Sequence, residues 1–216
     1  MLCVAEAAPA QSAGTDPAAT AVTIPSQIPL FPLPDVVMFP GVSRPFIIFE
    51  PRYRAMVADA LKGDRIIGMV LLKPGFEAEY EGRPPIYEIG CAGRIADYQE
   101  LPDGRYMILL RGLVKFRVTS EDQTRPYRVA RVDVMPEVPK AEELAPLSTL
   151  RERLASLLVA VVPLGAELPP VDLPDGTYVN TVASYLDIPE TIRQGLLERS
   201  GLLSRAQALV DLLATR

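Results

Sequence analysis

The amino-acid sequence predicts an α+β protein in which a β-rich part is followed by a bundle of helices. Up to residue 138, apolar residues recur in short runs with the two-residue period of strands, and from residue 139 they follow the 3.6-residue period of helices. The 22 prolines among 216 residues are roughly twice the usual share, which indicates short elements separated by many turns. A chain of this length can bury a sizeable apolar core.

We divide the chain into a tail of residues 1–26, a β-rich region of residues 27–138 and a helical region of residues 139–216. The tail is rich in Ala, Ser, Thr and Pro and has no periodicity, so we expect it to be disordered. It also lacks the basic and continuously apolar stretches of a secretory signal. Elsewhere no segment stays apolar over the roughly 18 residues that a membrane-spanning helix needs.

The first strands are predicted between residues 28 and 49. Apolar side chains alternate with prolines in residues 28–34. This pattern indicates an edge strand or an extended segment, because proline cannot donate to a central ladder. Residues 36–39 and 45–49 are two further short apolar strands, separated by the turn dipeptide Pro40-Gly41.

One helix and one buried strand follow. Residues 51–62 place apolar side chains at helical spacing, with Pro51 suited to the first helical position and Gly63 to the end. Residues 66–72 are an apolar run interrupted only by Gly68, which is typical of a strand covered on both faces.

A polar loop of residues 73–85 carries the candidate binding residues, Phe76 and Tyr80. An aromatic ring on a loop is unfavourable unless it packs or binds something. Three acids, Glu77, Glu79 and Glu81, alternate in the same loop and could serve acid–base chemistry or ligate a metal. Since no burial signal accompanies them, a solvated loop is favoured.

Residues 86–135 predict an antiparallel meander. The dipeptide Asp103-Gly104 indicates a type I′ hairpin, and Gly90, Gly93 and Gly112 indicate bulges or corners. So many short strands favour a small barrel or a folded-over sheet. The predicted strands are residues 86–89, 95–101, 105–110, 113–119 and 127–135.

The C-terminal third predicts four helices. Apolar residues from Leu144 to Val161 form a stripe that favours a helix of about 20 residues. Residues 164–176 contain three prolines and predict a loop. Three shorter helices are then predicted over residues 177–186, 189–199 and 202–214.

The absence of histidine excludes several classes of chemistry. Without imidazole the chain can form neither a Ser-His-Asp or Cys-His catalytic pair nor an HExxH or Cys2His2 zinc site. The two cysteines, Cys3 and Cys91, cannot supply a four-ligand metal site, and their small number favours a reducing, cytoplasmic protein. We therefore expect no catalytic residue, metal site or cofactor.

The charge balance argues against nucleic acid as a partner. Residues 27–138 hold 15 basic and 15 acidic side chains, and residues 139–216 hold 7 and 10. A nucleic-acid-binding protein usually has a basic surplus that neutralises phosphates. Lys115 and Arg117 are predicted on the polar side of a half-buried strand, and Arg125, Arg128 and Arg131 on a solvated face of mixed charge.

Several motifs, taken in order, resemble the N-terminal substrate-binding domain of Lon proteases. The later stretches ASYLDIPETIRQGLLE and LSRAQALVDLL are similar to the C-terminal helices of that family, so the resemblance covers nearly the whole chain beyond the tail. The form IFEPRY is most similar to the free-standing, single-domain members. The motifs of the first part are IPLFPLPDVVMFPG (28–41), PFIIFEPRY (45–53), YEIGCAGRI (87–95), LPDGRYMILLRGLVKFRV (101–118) and PYRVARVDV (126–134).

The resemblance implies a PUA-like, β-rich subdomain containing one helix, followed by helices. It does not imply ATP-dependent proteolysis, because the sequence contains no G-x-x-x-x-G-K-[ST] motif to hold phosphates. None of its lysines, Lys62, Lys73, Lys115 and Lys140, accompanies a serine in a nucleophile context. The implied function is non-enzymatic recognition of unfolded or apolar polypeptide segments, or an adaptor role in protein quality control.

Such recognition needs an apolar groove, either at an open sheet edge or between the β part and the helices. Phe76 and Tyr80 are the candidate peptide-binding residues. Four aromatic residues of the entry segment, Phe31, Phe39, Phe46 and Tyr53, are expected in the core. The expected partners are client polypeptides, with a protease or a chaperone downstream, and neither a nucleic acid nor a membrane.

Two alternatives remain. A PUA-like fold also suits an RNA- or small-ligand-binding protein, and this alternative requires the arginines Arg94, Arg111, Arg125, Arg128 and Arg131 to cluster on one face. A hydrolase that uses Asp or Glu ranks last, because no buried pair of carboxylates can be inferred.

Overall fold

A computed structural model describes residues 23–76, 79–80, 82–122, 124–161 and 168–215. These residues form a sheet of six strands and five helices, which confirms the predicted α+β class. Residues 1–22 of the predicted tail lie outside the described residues. The elements are β1 Gln27–Leu33, β2 Ser43–Ile48, α1 Pro51–Lys62, β3 Ile66–Leu71, β4 Ile89–Glu100, β5 Tyr106–Asp122, β6 Arg128–Met135, α2 Ala141–Val161, α3 Asp175–Tyr185, α4 Glu190–Leu197 and α5 Leu202–Ala214.

The sheet closes into a small barrel because the long strand β5 has two different neighbours on one side. The strand order is β2-β5-β4-β3-β1-β6, and β5 also pairs with β6. The first part of β5 pairs with β2 and its second part with β6, while β4 follows it along the other side. Five strands therefore form a closed ring, and β2 is added outside the ring.

The prediction of an edge position for the first strand is wrong. β1 lies between β3, with which it runs parallel, and β6, with which it runs antiparallel. A proline removes only its own N–H, so Pro29 and Pro32 leave the other ladder bonds of the strand in place. The predicted strand of residues 36–39 joins no sheet, although Val37, Met38 and Phe39 are fully buried.

Three of the predicted meander strands fall within β4 and β5, whereas the predicted strand of residues 86–89 is wrong: Ile86 forms an isolated bridge with Leu72, and β4 begins only at Ile89. Register shifts interrupt the pairing of β4 with β5 at Ala92/Gly93 and Ile95/Asp97, and Gly93 lies opposite Gly112. Gly112 is required because a Cβ there would collide with the carbonyl oxygen of Phe39. The predicted bulges at Gly93 and Gly112 are thus confirmed.

The turn between β4 and β5 is not the predicted type I′ turn. Among the residues of this hairpin only Gly104 has a positive φ, +78°. The Gly104 N–H donates to the Leu101 carbonyl, and the Leu101 N–H donates to the Arg105 carbonyl. This is a three-residue hairpin loop with one residue in the left-handed conformation. The Asp-Gly dipeptide is as compatible with such a loop as with a type I′ turn.

The helix and the strand predicted between residues 51 and 72 are confirmed. α1 begins at Pro51 and buries Tyr53, Met56, Val57 and Ala60 against the barrel. All six residues of β3 are buried. The helical period identifies the buried face of α1, and the uninterrupted apolar run identifies β3 as a strand covered on both faces.

The helices of the C-terminal third share a core with the barrel. Leu154 and Leu158 of α2 and Leu209 of α5 belong to the same buried cluster as Phe39 and Ile89 of the β-rich region. The four helix predictions agree with α2 to α5, and part of the predicted loop of residues 164–176 lies outside the described residues. No described helix is both long enough and apolar enough to cross a membrane.

A buried ionic network joins the helices to the barrel. The Glu137 carboxylate accepts from Lys115 Nζ at 2.8 Å and from two nitrogens of Arg205 at 2.7 and 3.0 Å. Lys115 Nζ also donates to the Arg199 carbonyl, and Arg205 donates to the Asn180 side chain. The predicted position of Lys115 on the solvent side is wrong, because the helices cover that side of β5 and leave the lysine 1% exposed.

The prediction that Arg125, Arg128 and Arg131 lie on a solvated face is wrong for one of them, Arg128. Arg128 is buried, pairs with Glu121 and donates to the Pro84 carbonyl, since the loop before β4 lies over it. Arg125 and Arg131 are exposed as predicted, and Arg125 forms an ion pair with Asp59.

Replacement of Glu137 by glutamine will destabilise the protein by about 3–5 kcal/mol, because two buried cations lose their counter-charge. Urea unfolding followed by circular dichroism measures the loss. Glu88→Gln is the matched control, since Glu88 pairs with Arg117 in solvent and its removal will cost less than about 1 kcal/mol. Equal losses for the two variants would contradict a central role for the network.

The thiol of Cys91 will be unreactive in the folded protein. Cys91 lies fully buried in β4, and burial raises the pKa of its thiol to about 12, so that almost no thiolate is available near neutral pH. In a Cys3→Ser background, a chromogenic disulfide reagent at pH 8 will label no thiol in buffer and one thiol in guanidinium. Equal labelling rates in the two solvents would disprove this placement.

Candidate functional site

An apolar groove of about 570 Å³ lies where the ends of β1, β2 and β3 meet the loop of residues 73–85 and the start of α4. The groove is thus bordered both by the barrel and by the helical region. Both of the predicted binding residues, Phe76 and Tyr80, line it. The structure brings them together with aromatic and aliphatic side chains from three strands.

Three aromatic rings form the floor of the groove. The Phe31 ring lies 5.8 Å from that of Phe46 and 4.6 Å from that of Tyr53, centroid to centroid. Phe31 and Tyr53 are buried as predicted, and Phe46 is half-buried. Phe39 is also buried, but in the core shared with the helices and not at the groove. The same rings therefore belong to the barrel core and present a surface to the groove.

The rim of the groove is apolar and exposed. Ile47 is 57% exposed, Phe49 63% and Phe76 37%. Sequence reasoning missed Ile47 and Phe49, because the segment from Phe46 to Phe49 is apolar at every position and shows no alternation. In the structure Ile48 points into the core and its two neighbours point outward.

Tyr80 is held in place by the residues that begin α1. Its hydroxyl donates to the Glu50 carboxylate at 2.9 Å, and the same carboxylate accepts from Arg52 Nε at 2.9 Å. The Arg52 guanidinium lies between the rings of Tyr53 and Tyr80, at 4.5 and 4.9 Å from their centroids. It also donates to the Tyr80 carbonyl. Tyr80 therefore anchors the loop that carries Phe76.

Most residues that line the groove are uncharged, and the four charged ones are Asp35, Glu50, Lys73 and Glu190. Burial raises the pKa of Tyr80, and Tyr53 and Glu50 raise it further. Burial likewise raises the pKa of Tyr53, so both phenols stay protonated at physiological pH. Glu50 and Glu190, which also line the groove, are each in an ion pair with an arginine. The described lining contains no group of His, Cys, Asp or Glu side chains suited to a metal ion.

The apolar surface continues over the outer face of β2, β5 and β4. Ile47 lies opposite Met107 in the β2–β5 pair, and Met107 and Leu109 are 45% and 37% exposed. Tyr98 on β4 is 43% exposed and borders the same shallow depression. Apolar side chains therefore flank β2 on both of its faces.

The arginines of the RNA-binding alternative do not share one face. Arg94 lies opposite Arg111 in the β4–β5 pair, whereas Arg131 lies opposite Ser120. At roughly 3.3 Å per residue along β5, these two places are about 30 Å apart. Arg125 and Arg128 are neutralised by Asp59 and Glu121. A continuous basic surface for phosphates is therefore not formed by these five residues.

Of the three acids in the loop of residues 73–85, only Glu79 belongs to the described residues. Glu79 is exposed, as expected for a solvated loop, while Glu77 and Glu81 lie outside the described residues.

Comparison with solved structures supports the fold. The N-terminal domain of a Mycobacterium avium complex Lon protease matches with a TM-score of 0.65 at 17% identity, covering 87% of this chain and 98% of that one. A Lon N-terminal domain protein from Xanthomonas campestris matches with a TM-score of 0.54 at 24% identity, covering 87% and 97%. At these identities the likeness concerns the fold.

Sequence comparison finds relatives among full-length proteases. The chain is 32% identical over 203 residues to the Lon protease of Trichlorobacter lovleyi and 29% identical over 197 residues to Lon protease 2 of Myxococcus xanthus. Each match covers 88% of this chain and 24% of the relative, so the chain spans about a quarter of their length. The family model of the ATP-dependent protease La (LON) substrate-binding domain matches residues 27–215. The chain therefore belongs to the Lon substrate-binding domain family.

Proposed function

We propose that this chain is a non-enzymatic module that captures apolar segments of unfolded or client polypeptides in the groove between the barrel and α4. One observation carries the proposal: Ile47, Phe49 and Phe76 expose large apolar surfaces around a floor of aromatic rings. Contiguous apolar surface of this kind is typical of interaction sites in soluble proteins. The family to which the chain belongs is described as substrate-binding, which agrees with this assignment.

The chemistry of the groove suits unfolded chains in particular. A folded protein buries most of its large apolar side chains, whereas an unfolded one exposes them in extended runs. Full burial of one such side chain contributes about 1.5–3 kcal/mol, so a few shallow contacts are enough for reversible capture. The phenols of the lining are neutral, two of its carboxylates are paired, and its other two charged residues, Asp35 and Lys73, are of opposite sign. The lining as a whole therefore imposes no requirement for a charged residue in the client.

The downstream partner belongs to the same proposal. A module that binds clients but does not cleave them must pass them to a protease or a chaperone, or protect them until they fold. The sequence itself contains neither histidine nor a phosphate-binding G-x-x-x-x-G-K-[ST] motif. The few cysteines, one of them buried and unpaired, suit a reducing cytoplasm.

The decisive measurement is the binding of a permanently unfolded protein, such as fluorescein-labelled casein, followed by fluorescence anisotropy. We expect saturable binding with a dissociation constant in the micromolar range or below. Native globular proteins of similar charge serve as the negative control. Failure to bind any unfolded chain far above micromolar concentration would refute the function.

Phe49→Ser and Phe76→Ser will each weaken binding of labelled casein about tenfold, because each removes a ring that the client would cover. Both rings are partly in solvent, so the midpoint of urea unfolding will change little. Val159→Ser is the matched control, since Val159 is 68% exposed on α2 and lies away from the groove. An equal loss of affinity in the control would show that the groove is not the site.

A further inference from the structure

Strand β2 has a free edge beside the groove. It pairs with β5 on one side, and no described strand pairs with its other side. An unpaired edge presents backbone N–H and C=O groups that can hydrogen-bond to an added strand. Ile47 of this edge also lines the groove.

The hydrogen-bond pattern shows which residues of β2 direct their backbone groups outward. The Gly112 N–H donates to the Val42 carbonyl just before the strand, so even-numbered residues bond to β5. The direction of the backbone groups alternates from one residue to the next in an antiparallel pair. The backbone groups of Ser43, Pro45 and Ile47 therefore point to the free side of β2. The Tyr185 hydroxyl donates to the Ser43 carbonyl from that side, in agreement with this orientation.

Only a short stretch of this edge is open. The Ser43 carbonyl is occupied by Tyr185, and Pro45 has no N–H to offer. Toward the groove, the Pro45 carbonyl and both backbone groups of Ile47 remain, and no hydrogen bond from another described residue reaches them. They lie at the end of β2 that borders the groove.

The length of this edge decides between two occupants. Three residues at roughly 3.3 Å each span about 10 Å, whereas a stable dimer buries about 800 Å² on each partner. A second copy would also bring its own proline to the same short edge. A single extended polypeptide needs only a few backbone hydrogen bonds and can place its side chains in the groove.

We propose that the client is bound as an added β-strand on β2, through the Pro45 carbonyl and the backbone N–H and C=O of Ile47. This rests on the proposed function and specifies how the client lies in the groove. Its side chains alternate between the ring floor on the Phe46 side and the outer apolar face on the Ile47 side. The preferred client segment is therefore extended, apolar at consecutive positions and free of proline.

The test uses a fluorescein-labelled, nine-residue apolar peptide without proline, and a series in which one amide at a time is N-methylated. Methylation of an amide that faces β2 will weaken binding about tenfold, because a hydrogen bond is lost and a methyl group intrudes. Methylation of the next amide will have little effect. We expect a two-residue period in affinity along the peptide.

A variant of the protein provides the second arm. Ile47→Pro removes the outward N–H without touching the β2–β5 ladder, and it will weaken binding of the unmodified peptide about tenfold. Ile47→Val is the matched control, because it keeps the N–H and most of the apolar surface. Circular dichroism checks the fold of both variants, and the N-methyl series tests the proposal with the protein unchanged.

The outcomes separate the two proposals. A flat N-methyl profile, with binding that still depends on Phe49 and Phe76, overturns strand addition and leaves the apolar groove as the site. Absence of binding by every peptide and by casein overturns the proposed function itself. A dimer in sedimentation that Ile47→Pro dissociates would identify a second copy as the occupant of the edge and overturn the strand-addition proposal.

Discussion

The buried network of Lys115, Glu137 and Arg205 holds together the two parts on which the groove depends. Charges removed from water are tolerated only when they are paired and hydrogen-bonded, and here one carboxylate serves two cations from β5 and α5. Arg205 extends the network to Asn180, whose amide donates to the Pro40 carbonyl. The helices are thereby fixed on the barrel in one orientation, and the start of α4 becomes a wall of the groove.

Under the proposed function, the groove combines structural and binding roles in neighbouring side chains. The rings of Phe31 and Tyr53 complete the barrel core from one side and form the groove floor on the other. Exposed neighbours such as Phe49 contribute no comparable burial to folding, which agrees with the proposal that a client covers them. Tyr80 has an intermediate role, because its ring lines the groove while its hydroxyl and carbonyl tie the loop to α1.

Under the strand-addition proposal, the edge of β2 accepts one strand without inviting aggregation. Open edges pair indiscriminately unless they are short or interrupted, and proline is a common interruption. Pro45 and the Tyr185 contact leave only the groove-side end of the edge free. In that proposal, a binding site and protection against self-association arise from the same strand.

The sequence by itself determined the helices with a strong local period, such as α1 and α5, and it placed Phe76 and Tyr80 on one loop. Periodicity and turn chemistry act over a few neighbouring residues, so they can be read without knowledge of the fold. Only the tertiary structure decided that Lys115 and Arg128 are buried, that β1 lies inside a closed barrel and that Ile47 and Phe49 face solvent. Those outcomes depend on contacts between distant residues, such as Lys115 with Arg199 and Arg128 with Pro84. A uniformly apolar or charged strand carries no local signal of which face its partners will cover.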